Sequence, residues 1–341
     1  MINAAIVGLG WWGKTLVESL TDGSDVMRFA TLQTRTLSPG VEAFATKYKL
    51  AIAESYEAVL RDPKIDAVVL ATPPSGHRKQ IIAAADAGKH VFCEKPFTFS
   101  KHEADAAIDA MRRANRVIGV GYNRRFHPEM IKLRERIRTG GLGVIQHVEC
   151  NMCFPNALFL EPTAWRAMAS EAPCGGLAPM GVHATDAMID LCGEFDQVYC
   201  QSFARVLQGE TDDTTSMLFR MKAGMSGYLG TLTTTGPGFS IQVFGSKGWL
   251  RLEGVTHVAG ASSEERRTRL FGACKFQPIK GPMEVWEADK LDITRTCLEA
   301  FARAAEGGPP FPITPEQIVH GASASEAVIR SAASGKVEKV A

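Results

Sequence analysis

Neither sign of charge dominates this sequence, because 38 lysines and arginines against 37 aspartates and glutamates leave a formal net charge of +1. A basic surface for nucleic acid is therefore not predicted. No apolar run approaches the ~20 residues that a membrane-spanning helix needs. The first residues also lack the positively charged start and cleavage site of a signal peptide. We therefore expect a cytoplasmic protein that has neither nucleic acid nor membrane as a partner.

Cysteine is present, but not in an arrangement that predicts a metal site or a disulfide framework. The eight cysteines are scattered along the chain, and reduced, mostly buried thiols are expected in a cytosolic protein. Cys150 and Cys153 form a C-x-x-C pair within a segment typical of a strand, where positions three apart face opposite sides. No second cysteine pair completes a zinc site, so no metal is predicted.

Two patterns follow one another along the chain, whose 341 residues and 45% hydrophobic content are enough for two domains with cores. Up to about residue 120, short apolar runs alternate with helical patterns, which predicts βαβ units and a parallel sheet. From about Tyr122, one helical stretch at 128–138 is followed by strand-like runs, among them 144–154, 198–206 and 214–221. Turn residues between several of these runs predict antiparallel neighbours.

A glycine-rich turn follows the first predicted strand and opens a helix that we expect to run to Leu20. Its spacing is that of a dinucleotide-binding turn in a Rossmann fold, in which the glycines give a tight turn, close approach of the backbone to pyrophosphate and close packing of helix on strand. One of the two tryptophans is expected to pack under the cofactor, the alternative being a place in the core. The turn consists of Gly8, Leu9, Gly10, Trp11, Trp12 and Gly13.

No acidic residue stands at the end of the second predicted strand, where an NAD-preferring site usually carries one. The segment there contains Thr34, Arg35 and Thr36. The threonines can hydrogen-bond a 2′-phosphate, and the guanidinium can pair with it or stack on adenine. The sequence therefore predicts NADP as the preferred cofactor, with NAD possible. A solvated loop arginine is the alternative.

A lysine follows the predicted strand 90–93 within the segment Glu94-Lys95-Pro96. Ligands of open α/β sheets bind in the crevice at the carboxyl ends of the strands. A lysine at that edge can contact both a cofactor and the hydroxyl or carbonyl that is oxidised or reduced. Lys95 is therefore a candidate catalytic residue.

Together with further motifs, these features resemble the family of glucose–fructose oxidoreductase, inositol dehydrogenase and MocA. The resemblance spans nearly the whole chain. Its marks are the glycine turn and the segments 71–77, 87–96, 123–128, 165–166, 175–176 and 181–186.

The resemblance implies an α/β Rossmann domain at 1–121 that binds NAD(P). It implies an α+β domain at 122–341 with a large, open-faced and mostly antiparallel sheet, which binds substrate and forms a homodimer or homotetramer. Lys95 would contact the nicotinamide ribose and the substrate hydroxyl, and Glu94 the ribose. Pro96 would fix the turn. Other residues expected at the cofactor are Ala71, Thr72, Pro73, His77, Trp165 and Arg166.

His183 is expected to be the general acid/base, because imidazole titrates near neutrality and can take or give the hydroxyl proton during hydride transfer. Asp186 lies on the same helix face and is expected to orient His183 or bind a sugar hydroxyl, a structural role being the alternative. Arg124 and Arg125, like Arg166, are expected to line the cleft, with Arg124 at the substrate. A structural ion pair is equally open for Arg166.

One position departs from the family pattern. Many dehydrogenases of the family carry an aspartate four residues before the histidine, and here Pro179 stands there. The leading prediction is an NADP-preferring oxidoreductase acting on a secondary hydroxyl, or its ketone, of a sugar, cyclic polyol or glycoside. A redox-neutral lyase or glycosidase that uses bound NAD(P), and a non-catalytic NADP-binding regulator, are the alternatives that Pro179 leaves open.

Overall fold

The computed structural model describes residues 1–341 except 22, 162–163 and 256–261. The first 123 residues alternate strand and helix, as the pattern of short apolar runs predicts. The elements are β1 Ile2–Val7, α1 Trp11–Glu18, β2 Met27–Gln33, α2 Pro39–Tyr48, β3 Ala51–Ile52, α3 Tyr56–Arg61, β4 Ala67–Leu70, α4 His77–Asp86, β5 His90–Cys93, α5 Lys101–Arg113 and β6 Ile118–Val120.

The rest of the chain is richer in strands and ends in two long helices. Its elements are α6 Pro128–Arg138, β7 Ile145–Cys153, α7 Gly181–Cys192, β8 Phe195–Phe203, β9 Thr214–Met221, β10 Ser226–Leu232, β11 Gly238–Gly245, β12 Gly248–Gly254, α8 Ser263–Thr268, β13 Phe271–Pro278, β14 Glu284–Glu287, α9 Ile293–Ala305, α10 Pro315–Ser334 and β15 Glu338–Lys339. Among the described residues, no helix is both long and apolar enough to cross a membrane.

These elements form two compact units. The first comprises residues 1–123 and 292–319, and the second comprises 124–291 and 320–341. Helix α9 therefore returns to the first unit, while α10 begins in the first and continues in the second. The assignment of cofactor binding to 1–121 and of substrate binding to 122–341 stays a prediction.

The first unit contains a six-stranded parallel sheet in the order β3-β2-β1-β4-β5-β6. This order is that of a Rossmann fold, and the strand order reverses between β1 and β4, where ligands of such sheets bind. The ends of four strands are in register, since Val7 pairs with Leu70, Leu70 with Cys93 and Cys93 with Val120. The residues that follow these strands therefore lie along one edge of the sheet.

The second unit contains a nine-stranded sheet in the order β14-β13-β12-β11-β7-β10-β9-β8-β15. All neighbouring pairs are antiparallel except β7 and β10, which run parallel. The α/β unit followed by an α+β unit with a mostly antiparallel sheet confirms the predicted fold class. One face of the sheet packs with α6, α7 and α10 in a core that includes Leu133, Met188, Val328, Met152 and Leu229.

Several predicted elements agree with the structure at both ends, namely β5, α6 and β9, and Ser100 caps α5 by accepting a hydrogen bond from the Glu103 amide. Other predicted ends were wrong, among them one end each of α1 and β8. Helix α1 ends at Glu18 rather than Leu20, with Ser19 as its C-cap. The strand predicted to reach residue 206 ends at Phe203.

The early end of β8 has a clear cause in the following residues. The backbone amides of Arg205, Val206 and Leu207 all donate to the carboxylate of Asp213, at 2.7–3.1 Å. Amides that are used in this way are not available to a neighbouring strand. A buried aspartate beyond the strand therefore terminates the ladder.

Candidate active site

The glycine turn in the first unit has the geometry that a dinucleotide site requires. Gly8 has a φ of +94°, and a Cβ there would lie 2.6 Å from the carbonyl oxygen of Ala71. A Cβ on Gly13 would lie 2.1 Å from the Gly8 carbonyl oxygen, so helix α1 packs closely on the turn. At Gly10, by contrast, no described atom beyond the adjoining residues of the chain lies within 4 Å of where a Cβ would be. The backbone at Gly10 is therefore open to a ligand.

Helix α1 begins directly after this open backbone. Its N-cap, Gly10, provides no side-chain hydrogen bond to the first turn, so the N–H groups of that turn remain available to an anion. These residues fit the pyrophosphate of NAD(P). Trp11 is 64% exposed and Trp12 is half-buried, with ring centroids 5.4 Å apart. Leu9 is buried in the turn.

The segment that would meet the adenosine ribose is tied to the glycine turn. The Gly8 amide donates to the carbonyl of Gln33, the last residue of β2, at 2.8 Å. Thr34 follows half-buried and Arg35 exposed. No acidic residue occurs in the sequence between Met27 and Val41. The end of β2 therefore offers hydroxyl and guanidinium groups, and no carboxylate, beside the phosphate turn.

Lys95 lies at the same edge of the sheet, as predicted from its position after β5. The amide of Glu94 donates to the carbonyl of Leu70 at 2.8 Å, and the Glu94 side chain is buried. Its carboxylate lies against Gly121, where a Cβ would be 2.5 Å from Oε1, and its Oε2 accepts a hydrogen bond from the Lys95 amide. Lys95 itself is half-buried. The glycine at 121 thus leaves room for the carboxylate that precedes the lysine.

His77 is fully buried and joins two loops at this edge. Its Nδ1 lies 2.9 Å from the carbonyl oxygen of Pro96 and its Nε2 lies 3.0 Å from that of Thr72. Thr72 in turn donates from its hydroxyl to the amide oxygen of Gln80 at 2.6 Å. The imidazole therefore connects the segment around Thr72 to the segment around Lys95. Direct contact of His77 with a cofactor stays a prediction.

In the second unit, the predicted acid/base residue lies in the first turn of α7. His183 is the third residue of the helix and is buried, and its amide donates to the carbonyl of Met180. The start of α7 lies close to β10, because a Cβ on Gly181 would be 3.0 Å from the Cγ2 of Thr231. Pro179 is half-buried in the turn before the helix. The helix start thus fixes His183 within unit two.

Asp186, one turn after His183, is held by a buried ion pair. Arg125 donates from Nη2 to Oδ1 at 2.6 Å and from Nε to Oδ2 at 2.8 Å. Arg125 also contacts Asp190, which pairs with Arg134 at 2.9 Å. Burial raises the pKa of Asp186 to about 6, and Arg125 opposes this shift. The arrangement favours a positioning role for Asp186.

Arg124 lies beside this network but is not part of it. Its guanidinium carbon is 4.9 Å from the centre of the Phe239 ring, and the side chain is buried. Its Nε and Nη1 have no hydrogen-bond partner among the described residues. Burial lowers the pKa of Arg124 to about 10, so the group is still a cation at neutral pH.

Trp165 and Arg166 lie in the second unit in a 3₁₀ turn at Trp165–Ala167, with the guanidinium 4.1 Å from the indole centre. The structure brings together two sets of the predicted residues, one in each unit: the glycine turn with Thr34, Ala71, Thr72 and Glu94, and His183 with Asp186. Pro73 follows Thr72 in the same loop. The roles predicted for all these residues at cofactor or substrate stay predictions.

Asp190 is not among the residues predicted from the sequence. Its spacing of four from Asp186 on one helix was the available signal, since such residues share a face. The C-x-x-C pair behaves as expected, with Cys150 buried and Cys153 half-buried on β7, and neither forms a disulfide.

Sequence comparison assigns the chain to a family. The profile of an oxidoreductase family with an NAD-binding Rossmann fold matches residues 2–122, and that of the GFO/IDH/MocA C-terminal domain matches 130–251. The rhizopine catabolism protein MocA of Rhizobium meliloti is 31% identical over 273 residues, which cover 78% of this chain and 72% of that protein. The chain belongs to the GFO/IDH/MocA family.

Other relatives match over different lengths. The myo-inositol 2-dehydrogenase of Thermotoga maritima is 26% identical over 282 residues, which cover 79% of this chain and 80% of that enzyme. The match to YrbE, an uncharacterized oxidoreductase of Bacillus subtilis, is 32% identical but covers only 42% of this chain and 41% of that protein. The chain thus aligns with about two fifths of YrbE.

Two solved structures share the fold over the whole chain. An aldose–aldose oxidoreductase from Caulobacter crescentus, complexed with glycerol, superposes with a TM-score of 0.85 at 24% identity and covers 99% of both chains. A levoglucosan dehydrogenase in complex with NADH gives a TM-score of 0.81 at 21% identity, covering 100% of this chain and 99% of that one. At such identities the likeness shows the fold.

Proposed function

We propose that this protein is an oxidoreductase that prefers NADP and acts on a secondary hydroxyl, or the corresponding ketone, of a sugar, cyclic polyol or glycoside. The observation that carries the proposal is the placement of Lys95 and the open glycine turn at one edge of a parallel sheet. Relatives named as an inositol dehydrogenase and a levoglucosan dehydrogenase support the choice of substrate class.

The preference for NADP rests on the end of β2. Because the Gly8 amide is bonded to Gln33, the two residues that follow lie next to the turn expected to hold pyrophosphate. Arg35 can pair there with a 2′-phosphate, and Thr34 can donate a hydrogen bond to it. An aspartate at this position would instead bind the two ribose hydroxyls and repel the phosphate.

The chemistry is divided between a hydride carrier and proton-handling side chains. When bound, the nicotinamide accepts or donates the hydride. Lys95 stabilises the developing alkoxide with its positive charge, and His183 takes or gives the hydroxyl proton. Pro179 has no side-chain proton to exchange, so no third group at that position assists. The ion pair of Asp186 with Arg125 keeps α7, and with it His183, in place.

A panel of sugars, polyols and glycosides, tested with both cofactors by the absorbance of the reduced nicotinamide, tests this function. We expect turnover with at least one member and a higher kcat/KM with NADP. Product formation without net change of free cofactor would instead identify a redox-neutral enzyme. Cofactor binding without any turnover across the panel would favour a regulator, an alternative that Pro179 leaves open.

Lys95→Ala separates these outcomes at the residue level. We expect this variant to lose both turnover and part of its cofactor affinity, because the ammonium group is proposed to contact both ligands. Lys14→Ala is a suitable control, since that lysine lies in α1 near the glycine turn but packs over the Phe44 ring. A regulator would lose cofactor affinity in Lys95→Ala without any activity to lose.

A further inference from the structure

The second unit buries several charged groups, and almost all of them are paired within it. Asp186 and Asp190 are held by Arg125 and Arg134. Glu129 accepts hydrogen bonds from Lys132 and from the indole of Trp286, and Asp213 accepts from three backbone amides and a threonine hydroxyl. Such pairing is what makes a buried charge tolerable.

Arg124 differs from these groups. It is 9% exposed, yet two of its three guanidinium nitrogens, Nε and Nη1, are buried without a hydrogen bond to any described residue. Its guanidinium carbon lies 4.9 Å from the centre of the Phe239 ring, and this cation–π contact does not provide a hydrogen-bond acceptor for either N–H group. An unpaired buried cation destabilises the fold unless a ligand supplies the missing negative charge and hydrogen-bond acceptors.

The charges around Arg124 leave a surplus of one positive charge. The carboxylates of Asp186 and Asp190 are paired with the guanidiniums of Arg125 and Arg134, and Arg124 adds a third cation beside them. Both oxygens of Asp186 already accept from Arg125. The network thus provides no free carboxylate to satisfy Arg124, and a single negative charge from outside would balance it.

Arg124 also lies in the part of the second unit that contains the proposed proton-handling residue. The Asp186 carboxylate is close enough to raise the pKa of Arg124 against the effect of burial. Asp186 follows His183 by three residues, on the same face of α7. A ligand that reaches the edge of the Arg124 guanidinium is therefore near the helix turn that carries His183.

The sheet beneath supports the same location. Phe239, under the guanidinium, pairs with Met152 across the ladder, and Met152 pairs with Thr231. A Cβ on Gly181, at the start of α7, would lie 3.0 Å from Cγ2 of Thr231. One row of the sheet therefore extends from Arg124 to the beginning of the helix that carries His183.

We propose that Arg124 binds a carboxylate group of the substrate, so that the site acts on sugar acids, such as an aldonate or a uronate, in preference to the neutral sugar or polyol. This inference rests on the proposed function and specifies its substrate class. A carboxylate matches the single surplus charge and the planar N–H edge of a guanidinium. A phosphate would bring up to two negative charges and calls for more donors than Arg124 offers.

Matched pairs of compounds test the proposal: gluconate with glucitol, and galacturonate with galactose, each measured by titration calorimetry on the NADP-saturated protein and by turnover. We expect the acid of at least one pair to bind at least tenfold more tightly than its neutral partner. In Arg124→Gln that preference should disappear, with affinity for the acid falling about 10- to 100-fold, the range of a hydrogen bond to a charged group. Arg138→Gln, on the exposed end of α6, is the control.

Thermal unfolding shows whether Arg124→Gln folds, and whether the unpaired cation destabilises the protein when no ligand is bound. Because the substitution removes an unpaired buried cation, the free variant should have a Tm equal to or above that of the wild type. The gain in Tm on adding gluconate or galacturonate should then be confined to the wild type. A variant that unfolds at a much lower Tm would show that a partner inside the chain satisfies Arg124, and would overturn the proposal.

The remaining outcomes are distinct from failure of the proposed function. Turnover of neutral sugars with no preference for acids refutes the role of Arg124 and leaves the oxidoreductase function intact. Acid binding that depends on Arg124 without any turnover supports this inference and refutes the redox function. A hexose phosphate or inorganic phosphate that binds more tightly than either acid, or no binding of any acid, also overturns it.

Discussion

Arg125 and Asp186 form a buried two-point ion pair, with N–O distances of 2.6 and 2.8 Å, between residues 61 positions apart in the chain. The same guanidinium contacts Asp190 on the next turn of α7. The pair therefore connects the segment before α6 to the helix that carries His183. Its integrity determines where the imidazole is held.

We expect Arg125→Met to lower the free energy of unfolding by about 3–5 kcal/mol, because it leaves a buried carboxylate without its partner. Chemical denaturation measures this change. Arg138→Met, which breaks an exposed pair with Glu135 in α6, should have a much smaller effect. Equal changes in the free energy of unfolding for the two substitutions would show that the buried pair contributes no more to stability than the exposed one.

The cofactor preference is tested at Arg35. We expect Arg35→Ala to weaken NADPH binding by about 10- to 100-fold, the range of a hydrogen bond to a charged group, and to leave NADH binding nearly unchanged. Calorimetric titration with both cofactors gives the two affinities. The control is Arg28→Ala, which removes an exposed arginine of β2 that donates to Asn3. Tighter binding of NADH than NADPH by the wild type would refute the preference.

His127 predicts a loss of stability in mild acid. It is fully buried, its Nδ1 accepts a hydrogen bond from the Glu129 amide, and burial lowers its pKa from 6.5 to about 4. The unfolded chain therefore binds a proton at higher pH than the folded one. The stabilisation is complete above pH 6.5 and is lost as the pH falls towards 4, by up to about 3 kcal/mol.

His127 is the N-cap of α6. The substitution His127→Asn keeps a side-chain hydrogen-bond acceptor at this position, but asparagine cannot titrate. Denaturation at a series of pH values should show a smaller fall of the unfolding free energy in this variant between pH 6.5 and 4. Some slope should remain, because burial also lowers the pKa of His90 and His320. Identical slopes for variant and wild type would exclude His127 as a source of the acid sensitivity.

The face of the nine-stranded sheet opposite the helices is our proposed site of homo-oligomer formation. Leu218 is 54% exposed there and pairs across the ladder with Tyr199 and Tyr228, which forms an apolar row. We expect Leu218→Lys to reduce the mass measured by light scattering to that of one chain. Val337→Lys is an exposed control. A single-chain mass for the wild type at micromolar concentration would contradict the proposal.

The sequence predicted those features that depend on neighbouring residues. Alternation of apolar runs with helical patterns identified the parallel sheet, and the Gly10 to Gly13 spacing identified a turn whose backbone is open on one side. Turn residues such as Gly224 and Gly248 correctly indicated the antiparallel pairs that they join. In each case, the physical cause lies within a few positions of the residue concerned.

Features that depend on distant residues could not be predicted in this way. The parallel pairing of β7 with β10 joins segments about 80 residues apart, as in Ser226 with His147. The ion pair of Arg125 with Asp186, and the isolation of Arg124 beside it, follow from packing that no local pattern specifies. The hydrogen bonds from three backbone amides to Asp213 likewise end β8 before residue 206, where the sequence pattern predicted its end.

The most direct test of the account is the turnover of His183→Ala with the best substrate of the panel, measured together with the affinity for NADPH. The account predicts that kcat falls by about 10²–10⁴-fold, the usual contribution of a general acid or base, while NADPH affinity stays nearly constant. Turnover that survives the substitution undiminished would contradict it and place the proton transfer on another residue.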